Sequence, residues 1–290
     1  MPDVVHAGHI FLDGYGMIPY CDQHELPLFV MGRGGTLNGF PELSNRRQAM
    51  VSETLEFAEG IICVSDALAE RAKQIVENPE KVYVVANGEN PDLYPTSNRE
   101  LIRRELNIPP EDNLVLYVGN IIGEKGINDI IQVINNGDFP DTHFIFVGQS
   151  GNLRLKLHET LIEANIGRES KILWQVRPLA LRRIYVAADL VWLPSYSEGR
   201  PNVIYEAMAS ETPVLATNID GIIEQVVNGE TGKLIEPGNP SDLYQELISL
   251  LSKPDQLKCF GQNGLERLIL KGWTWEEHAK KIAKIHKERI

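Results

Sequence analysis

"LVWLPSYSEGRPNVIYEAMASETPVLAT", Leu190 to Thr217, is the stretch that decides the fold. A short apolar run stops at Pro194, and a polar turn carrying Glu198, Gly199, Arg200 and Pro201 follows. A helical pattern, "NVIYEAMAS", comes next, and then a second apolar run, "PVLAT". Short β-branched runs joined through amphipathic text signal crossover units, hence a parallel sheet with helices on both faces.

The pattern extends in both directions. Runs at "NLVLYVGN", "HFIFVGQ", "KILWQV", "LVWLPS", "PVLATN" and "GKLIE" predict six strands. Between them "GINDIIQVINN", "LRLKLHETLIEAN", "LALRRIYVAA", "NVIYEAMAS" and "GIIEQVVN" predict five crossover helices, a complete Rossmann-like domain. Residues 1–95 show a thinner version of the pattern. Strands are expected at "DVVHA", "PLFVMG", "GIICVS" and "KVYVVAN", with helices near "SNRRQAMVSETLEFA" and "DALAERAKQIV" capped by Ser44 and Ser65. "NGENPDLYPTSNRE" reads as a linker. After Ser241 the text is helical to the end. The predicted division is a partial Rossmann-like domain at 1–95, a complete one at 96–272 and a C-terminal helix at 273–290.

Composition narrows the function classes. Forty acidic against 28 basic residues leave a net charge of −12, the wrong sign for a nucleic-acid binder. Three scattered cysteines (Cys21, Cys63, Cys259) form no C-x-x-C pair, which suits reduced thiols in a cytoplasmic protein and no zinc site. No run approaches the ~18 apolar residues of a membrane span.

Ligands of open parallel sheets bind beyond the carboxyl ends of the strands, where helix N-termini present free amides. Three junctions there carry suggestive residues. In "VGNIIGEKG", Gly119 ends a strand and Lys125 precedes a helix, a point charge suited to a phosphate; a lysine at a helix start is equally an ordinary solvated residue. In the opening stretch, Arg200 and the amides near Pro201 and Asn202 suit an anion. Glu206, eight residues after Glu198, leans back toward the helix start and suits a vicinal diol such as ribose. Both glutamates would also serve as plain helix-start acids. The third junction, "TNIDGIIEQ", reads alone as an ordinary cap. Together the three point to a nucleoside-diphosphate site.

These residues resemble the retaining GT-B glycosyltransferases of family 4. "SEGRPNVIYEAMASETPVLAT" resembles their E-x7-E signature, and "VGNIIGEKG" their Gly-Arg-Leu-x-x-x-Lys-Gly segment. "NIDGIIEQVVNGETGKLIEPGN" is similar to their Gly-Gly-x-x-Glu turn and the text after it. The likeness covers nearly the whole chain. It implies two Rossmann-like domains facing a cleft, and transfer of a sugar from a UDP- or GDP-sugar to a hydroxyl acceptor, a glycan or lipid-linked glycan, with retention. It implies no metal and no cofactor beyond the nucleotide sugar, and a role in polysaccharide or glycoconjugate synthesis.

The resemblance also assigns residues. Glu198 is expected on the donor sugar, Glu206 on the ribose, Lys125 on the diphosphate with Gly119 and the amides of Gly199 to Asn202, and the base near Gln175, Val176 and Arg177. Asn120 stands where the family usually has Arg, with Arg200 available as a second cation. Arg33, in "RGGTLN", takes the place of a frequent His, and His6 matches the first His of a His-Ala-His. With Glu198 and Lys125, these two complete the catalytic candidates.

The family's opening strand and glycine-rich loop have no counterpart in this text, so an incomplete first domain is expected, with self-association through its edge and peripheral membrane contact left open. Two other functions stay open: a nucleotide-binding module without transferase activity, and, lacking the further carboxylates and histidines it would need, a sugar-nucleotide epimerase.

Overall fold

The computed structural model describes residues 2–139, 141–148, 151–164, 166–167 and 169–289. The chain divides into two compact units. One takes the residues up to Gly88, the tripeptide Glu198–Arg200 and the residues from Trp273; the other takes Glu89–Ser197 and Pro201–Gly272.

The first unit holds strands β1 (Val5–Ala7), β2 (Leu28–Gly32), β3 (Gly60–Cys63) and β4 (Val82–Val84), paired in parallel in the order β1-β2-β3-β4. Helices α1 (Tyr15–His24), α2 (Gly35–Asn38), α3 (Asn45–Phe57) and α4 (Asp66–Lys73) lie between them in sequence. β2 and β3 are buried along their whole length, because a parallel sheet covered by helices has no solvent face. Phe29, Val30, Ile61, Ile62 and Leu68 form the core. The last helix of the chain (Trp275–Arg289) adds Ile285 to it. Ser65 caps α4 by accepting from the Leu68 amide at 3.3 Å. Ser44 also occupies an N-cap position, but its hydroxyl makes no capping bond. Cys21 and Cys63 are buried here, and burial pushes the Cys63 thiol up to about 12 against a small opposing pull from Lys73.

In the second unit, α5 (Arg99–Glu105) precedes β5 (Asn113–Val118), α6 (Ile127–Asn136), β6 (Thr142–Val147), α7 (Arg154–Glu163), β7 (Lys171–Leu173), α8 (Pro178–Ala187), β8 (Leu190–Leu193), α9 (Asn202–Ala209), β9 (Val214–Thr217) and β10 (Gly232–Ile235). Helices α10 (Pro240–Leu251) and α11 (Pro254–Leu270) follow, and the C-terminal helix becomes α12. Cys259 is exposed on α11.

All six strands are parallel, in the order β10-β9-β8-β5-β6-β7. Numbered along the chain this is the doubly wound order, in which the direction of winding reverses between β5 and β8. α6 shows how the sequence builds a layer: Ile127, Ile130, Ile131, Val133 and Ile134 are buried, while Asn128, Gln132 and Asn135 stay exposed. Trp192 of β8 stacks on Phe144 of β6 with ring centroids 5.3 Å apart.

An ion network closes the amino edge of this sheet. The Asp189 carboxylate receives Arg99 at 2.5 Å, Arg103 at 2.9 Å and the Leu114 amide at 2.7 Å. Arg103 also donates to the Pro109 carbonyl at 3.0 Å, so the buried guanidinium is well satisfied. The buried Thr212 hydroxyl donates to the Tyr185 carbonyl at 2.8 Å.

The structure differs from the sequence reading in several places, among them α2 and α5, which were not expected. "GIIEQVVN" is not a helix but a chain of turns, in which Ile222 and Ile223 donate to the Ile219 carbonyl, and Gln225 and Val226 to that of Ile222. Gly221 at φ 81° breaks the right-handed path, leaving too few residues to carry a helix. α1 was not expected. Pro19 lies inside it and its apolar spacing is weak, so nothing in its text signals a helix.

Candidate active site

The winding reversal puts two junctions side by side in the second unit. β5 ends at Val118, and Gly119 (φ 153°) turns the chain toward Asn120, whose carbonyl accepts from the Tyr117 hydroxyl at 2.7 Å. The chain reaches α6 through Gly126, which adopts the left-handed conformation at φ 74° and serves as N-cap. A Cβ on Gly126 would sit 2.0 Å from the Pro194 carbonyl oxygen, so only glycine allows α6 to start against the end of β8. Neither α6 nor α9 has a side-chain cap on its first turn.

Lys125 and Tyr196 hold these junctions together. Lys125 donates to the Ser197 carbonyl at 3.1 Å. The Tyr196 amide donates to the Glu124 carbonyl at 2.8 Å, and its hydroxyl to the buried Asp129 carboxylate at 2.7 Å. Burial and that bond push the Tyr196 phenol up to about 12. β9 joins the same edge, where the Thr217 hydroxyl donates to the Ser195 carbonyl at 2.5 Å. The three junctions singled out by sequence therefore all leave the carboxyl edge of one sheet.

α9 begins at Asn202, which is exposed, with Pro201 in the N-cap position. The Pro201 carbonyl accepts from Gln225 at 3.2 Å. Glu206, in the middle of α9, is half-buried. Burial raises its carboxyl pKa, the Glu89 charge adds to the rise, and Tyr185 and Arg182 oppose it. The fully buried Tyr185 hydroxyl lies beside Glu206 without a hydrogen bond of normal geometry. Arg182 approaches Glu89 at 3.9 Å, and its guanidinium lies 5.8 Å from the Tyr94 ring centroid. The sequence reading missed this surround. Arg182 and Tyr185 are one turn apart on α8, but nothing in the text ties Glu89 to Glu206.

Gln175, Val176 and Arg177 lie beyond the end of β7, at the far edge of the sheet from β10. Gln175 is left-handed at φ 52°, and Arg177 is the N-cap of α8. The half-exposed Trp174 beside them carries the Arg154 guanidinium 4.2 Å from its ring centroid.

The remaining candidates belong to the first unit. The Glu198 carbonyl accepts from Asn38 at 3.0 Å, and Asn38 in turn accepts from Arg71 at 2.7 Å. A Cβ on Gly199 would meet the Arg33 carbonyl oxygen at 2.1 Å. Arg200 is buried, with its guanidinium 4.9 Å from the centroid of the Trp273 ring. The Arg33 side chain is exposed.

His6 keeps part of its surface in solvent, yet its pKa is lowered to about 4, first by partial burial and then by His286, His278 and Arg33. The His6 and His286 ring centroids are 5.3 Å apart. His6 is thus a neutral imidazole near pH 7. Among the described residues no three His, Cys, Asp or Glu side chains are grouped to hold a metal ion, and no helix is long and apolar enough to cross a membrane.

Against known proteins, the model of the glycosyl transferases group 1 family matches residues 98–267, and the chain belongs to that family. An uncharacterized glycosyltransferase of Methanocaldococcus jannaschii is 28% identical over 231 residues, 80% of this chain and 60% of the relative. The chain spans about half the length of the curated relatives it matches.

A sucrose-phosphate synthase structure from Thermosynechococcus elongatus is 25% identical with a TM-score of 0.86, covering 99% of this chain and 73% of that one. The Anabaena protein HepE, solved in complex with UDP and glucose, is 20% identical with a TM-score of 0.86, covering 99% of this chain and 78% of its own. The fold is GT-B, an α/β architecture with Rossmann-like parallel sheets.

Proposed function

We propose that the chain is a retaining, metal-independent glycosyltransferase of family 4, moving a sugar from a UDP- or GDP-sugar to a hydroxyl acceptor in polysaccharide or glycoconjugate synthesis. The observation that carries this reading is the reversal between β5 and β8, where two uncapped helix starts and Lys125 meet. Such a crevice is where a doubly wound sheet takes a nucleotide.

Lys125 and the first amides of α6 and α9 would take the charge of the diphosphate as the glycosidic bond breaks. Glu206 would accept from the ribose diol, Glu198 would hold the sugar hydroxyls, and Gln175 to Arg177 would border the base. In the retaining step the acceptor oxygen bonds to the anomeric carbon on the face the leaving group departs from. The electron pair of the breaking C–O bond passes to the phosphate oxygen, and that oxygen takes the acceptor's proton. His6, neutral near pH 7, and Arg33 would border the sugar and the acceptor.

Calorimetry with UDP and GDP tests the reading. Glu206→Ala should cost about 1.5–3 kcal/mol, the worth of hydrogen bonds to a charged acceptor, or roughly ten- to a hundredfold in affinity. Unchanged affinity for both nucleotides, with the fold intact, would assign Glu206 to structure.

A further inference from the structure

Gln225 is fully buried, and its side chain is only half used. Its Nε2 donates to the Pro201 carbonyl at 3.2 Å, while its Oε1 has no hydrogen-bond partner among the described residues. Chemistry fixes that orientation, because only the donor end of an amide can meet a carbonyl. A buried acceptor left unmatched costs stability, and an apolar side chain of the same length would not carry that cost. Ile222 and Val226 of the same turn are buried and apolar. Packing therefore gives no reason for a glutamine between them. What remains is the single bond it makes.

That bond ends on the start of α9. Pro201 is the N-cap of the helix, and proline has neither a polar side chain to cap with nor an amide to donate. Its carbonyl also accepts from the Ile204 amide at 3.3 Å, so the group that Gln225 holds belongs to the first turn. The other end of the link is held as well. The Gln225 amide donates to the Ile222 carbonyl at 2.9 Å. From α11, Arg267 Nε donates to the Gln225 carbonyl at 2.8 Å, and its Nη2 to the Glu224 carbonyl at 3.1 Å. α11 also packs on the second half of α9, where a Cβ on Gly264 would meet the Met208 side chain at 3.3 Å. One end of α9 is thus fixed by direct contact, and the other through Arg267, the turn at 219–226 and Gln225.

We propose that Gln225 is a positioning residue for the diphosphate, a strut that sets where the first turn of α9 stands. The inference rests on the reading above that this turn meets the diphosphate of a nucleotide sugar. It separates two effects that usually travel together: an apolar residue in place of Gln225 should cost binding and spare stability.

The test is Gln225→Met, with Gln225→Leu as a second variant of different shape. Calorimetry with UDP and with uridine reads binding, thermal melts read stability, and hydrogen exchange reads the helix start. UDP affinity should fall roughly two- to tenfold, the worth of one hydrogen bond, while uridine affinity keeps its native value. The amides of 202–204 should exchange faster, and those of β8 and β9 at their native rates. The melting temperature should hold or rise, because the unmatched acceptor is gone.

A role in the fold alone would lower the melting temperature and weaken UDP and uridine by the same factor, and that result overturns the inference. Native affinity for UDP in both variants, or native exchange at 202–204, overturns it too. If the native chain binds UDP no more tightly than uridine, the diphosphate reading itself fails, which is a separate outcome.

Discussion

The two edges of the six-stranded sheet are built on different principles. At the amino edge, polar groups are matched to one another: Asp189 takes two guanidinium groups and a backbone amide, and Thr212 ties a turn to α8. At the carboxyl edge, backbone meets backbone at Gly126, and helix starts are left without side-chain caps. The first arrangement uses its hydrogen-bonding capacity internally and contributes stability. The second, on the proposed function, is the edge that meets the nucleotide. A doubly wound sheet thereby separates what keeps it folded from what it binds, and damage at one edge should be separable from damage at the other.

Asp189→Ala is the most severe way to test this separation. It leaves the buried Arg103 without its carboxylate, a loss of about 3–5 kcal/mol when one partner of a buried pair is removed. A large drop in melting temperature with UDP affinity unchanged, measured where the variant is folded, is expected; a parallel loss of affinity would mean the edges are coupled.

Gly126→Ala should cost about 2–4 kcal/mol from its left-handed backbone and the clash with Pro194. Unlike the first variant, it should weaken nucleotide binding as well, because α6 can no longer start where it does. Normal affinity in a destabilised Gly126→Ala would remove the α6 start from the binding site.

Lys125→Ala should lower affinity for UDP or GDP by about 1.5–3 kcal/mol while leaving the bare nucleoside unaffected. Equal losses for diphosphate and nucleoside would place Lys125 away from the phosphates. The smallest effect is expected of Thr212→Val, about 1 kcal/mol of stability for the bonds its hydroxyl makes to the Tyr185 carbonyl and the Ser210 hydroxyl, and no change in binding. A binding defect there would show that the amino edge reaches the ligand after all.

The sequence carried the sheet far better than the polar surround of the site. Runs such as "NLVLYV" and "LVWL" are buried on both faces, so their unbroken apolar character identifies them as strands. "GIIEQVVN" has the apolar spacing of a helix, but that spacing serves a turn that buries Ile222 and Val226 and leaves Ile223 half-exposed. Periodicity cannot see the positive φ of Gly221. That the three junctions share one sheet edge was legible, because all of them follow strands of one parallel sheet. Glu89 and Arg182 were not legible: they lie far apart in the chain, and only the tertiary fold brings Arg182 within 3.9 Å of Glu89.

The three thiols offer a reporter of motion. Cys259 is exposed on the second unit, while Cys21 and Cys63 are sealed inside the first, where the raised pKa of Cys63 also suppresses its thiolate. A maleimide added to the native protein should therefore attach one dye quickly, at Cys259, and two more only as fast as the first unit breathes open. The slow phase would time the opening of one half of the molecule without any engineered label.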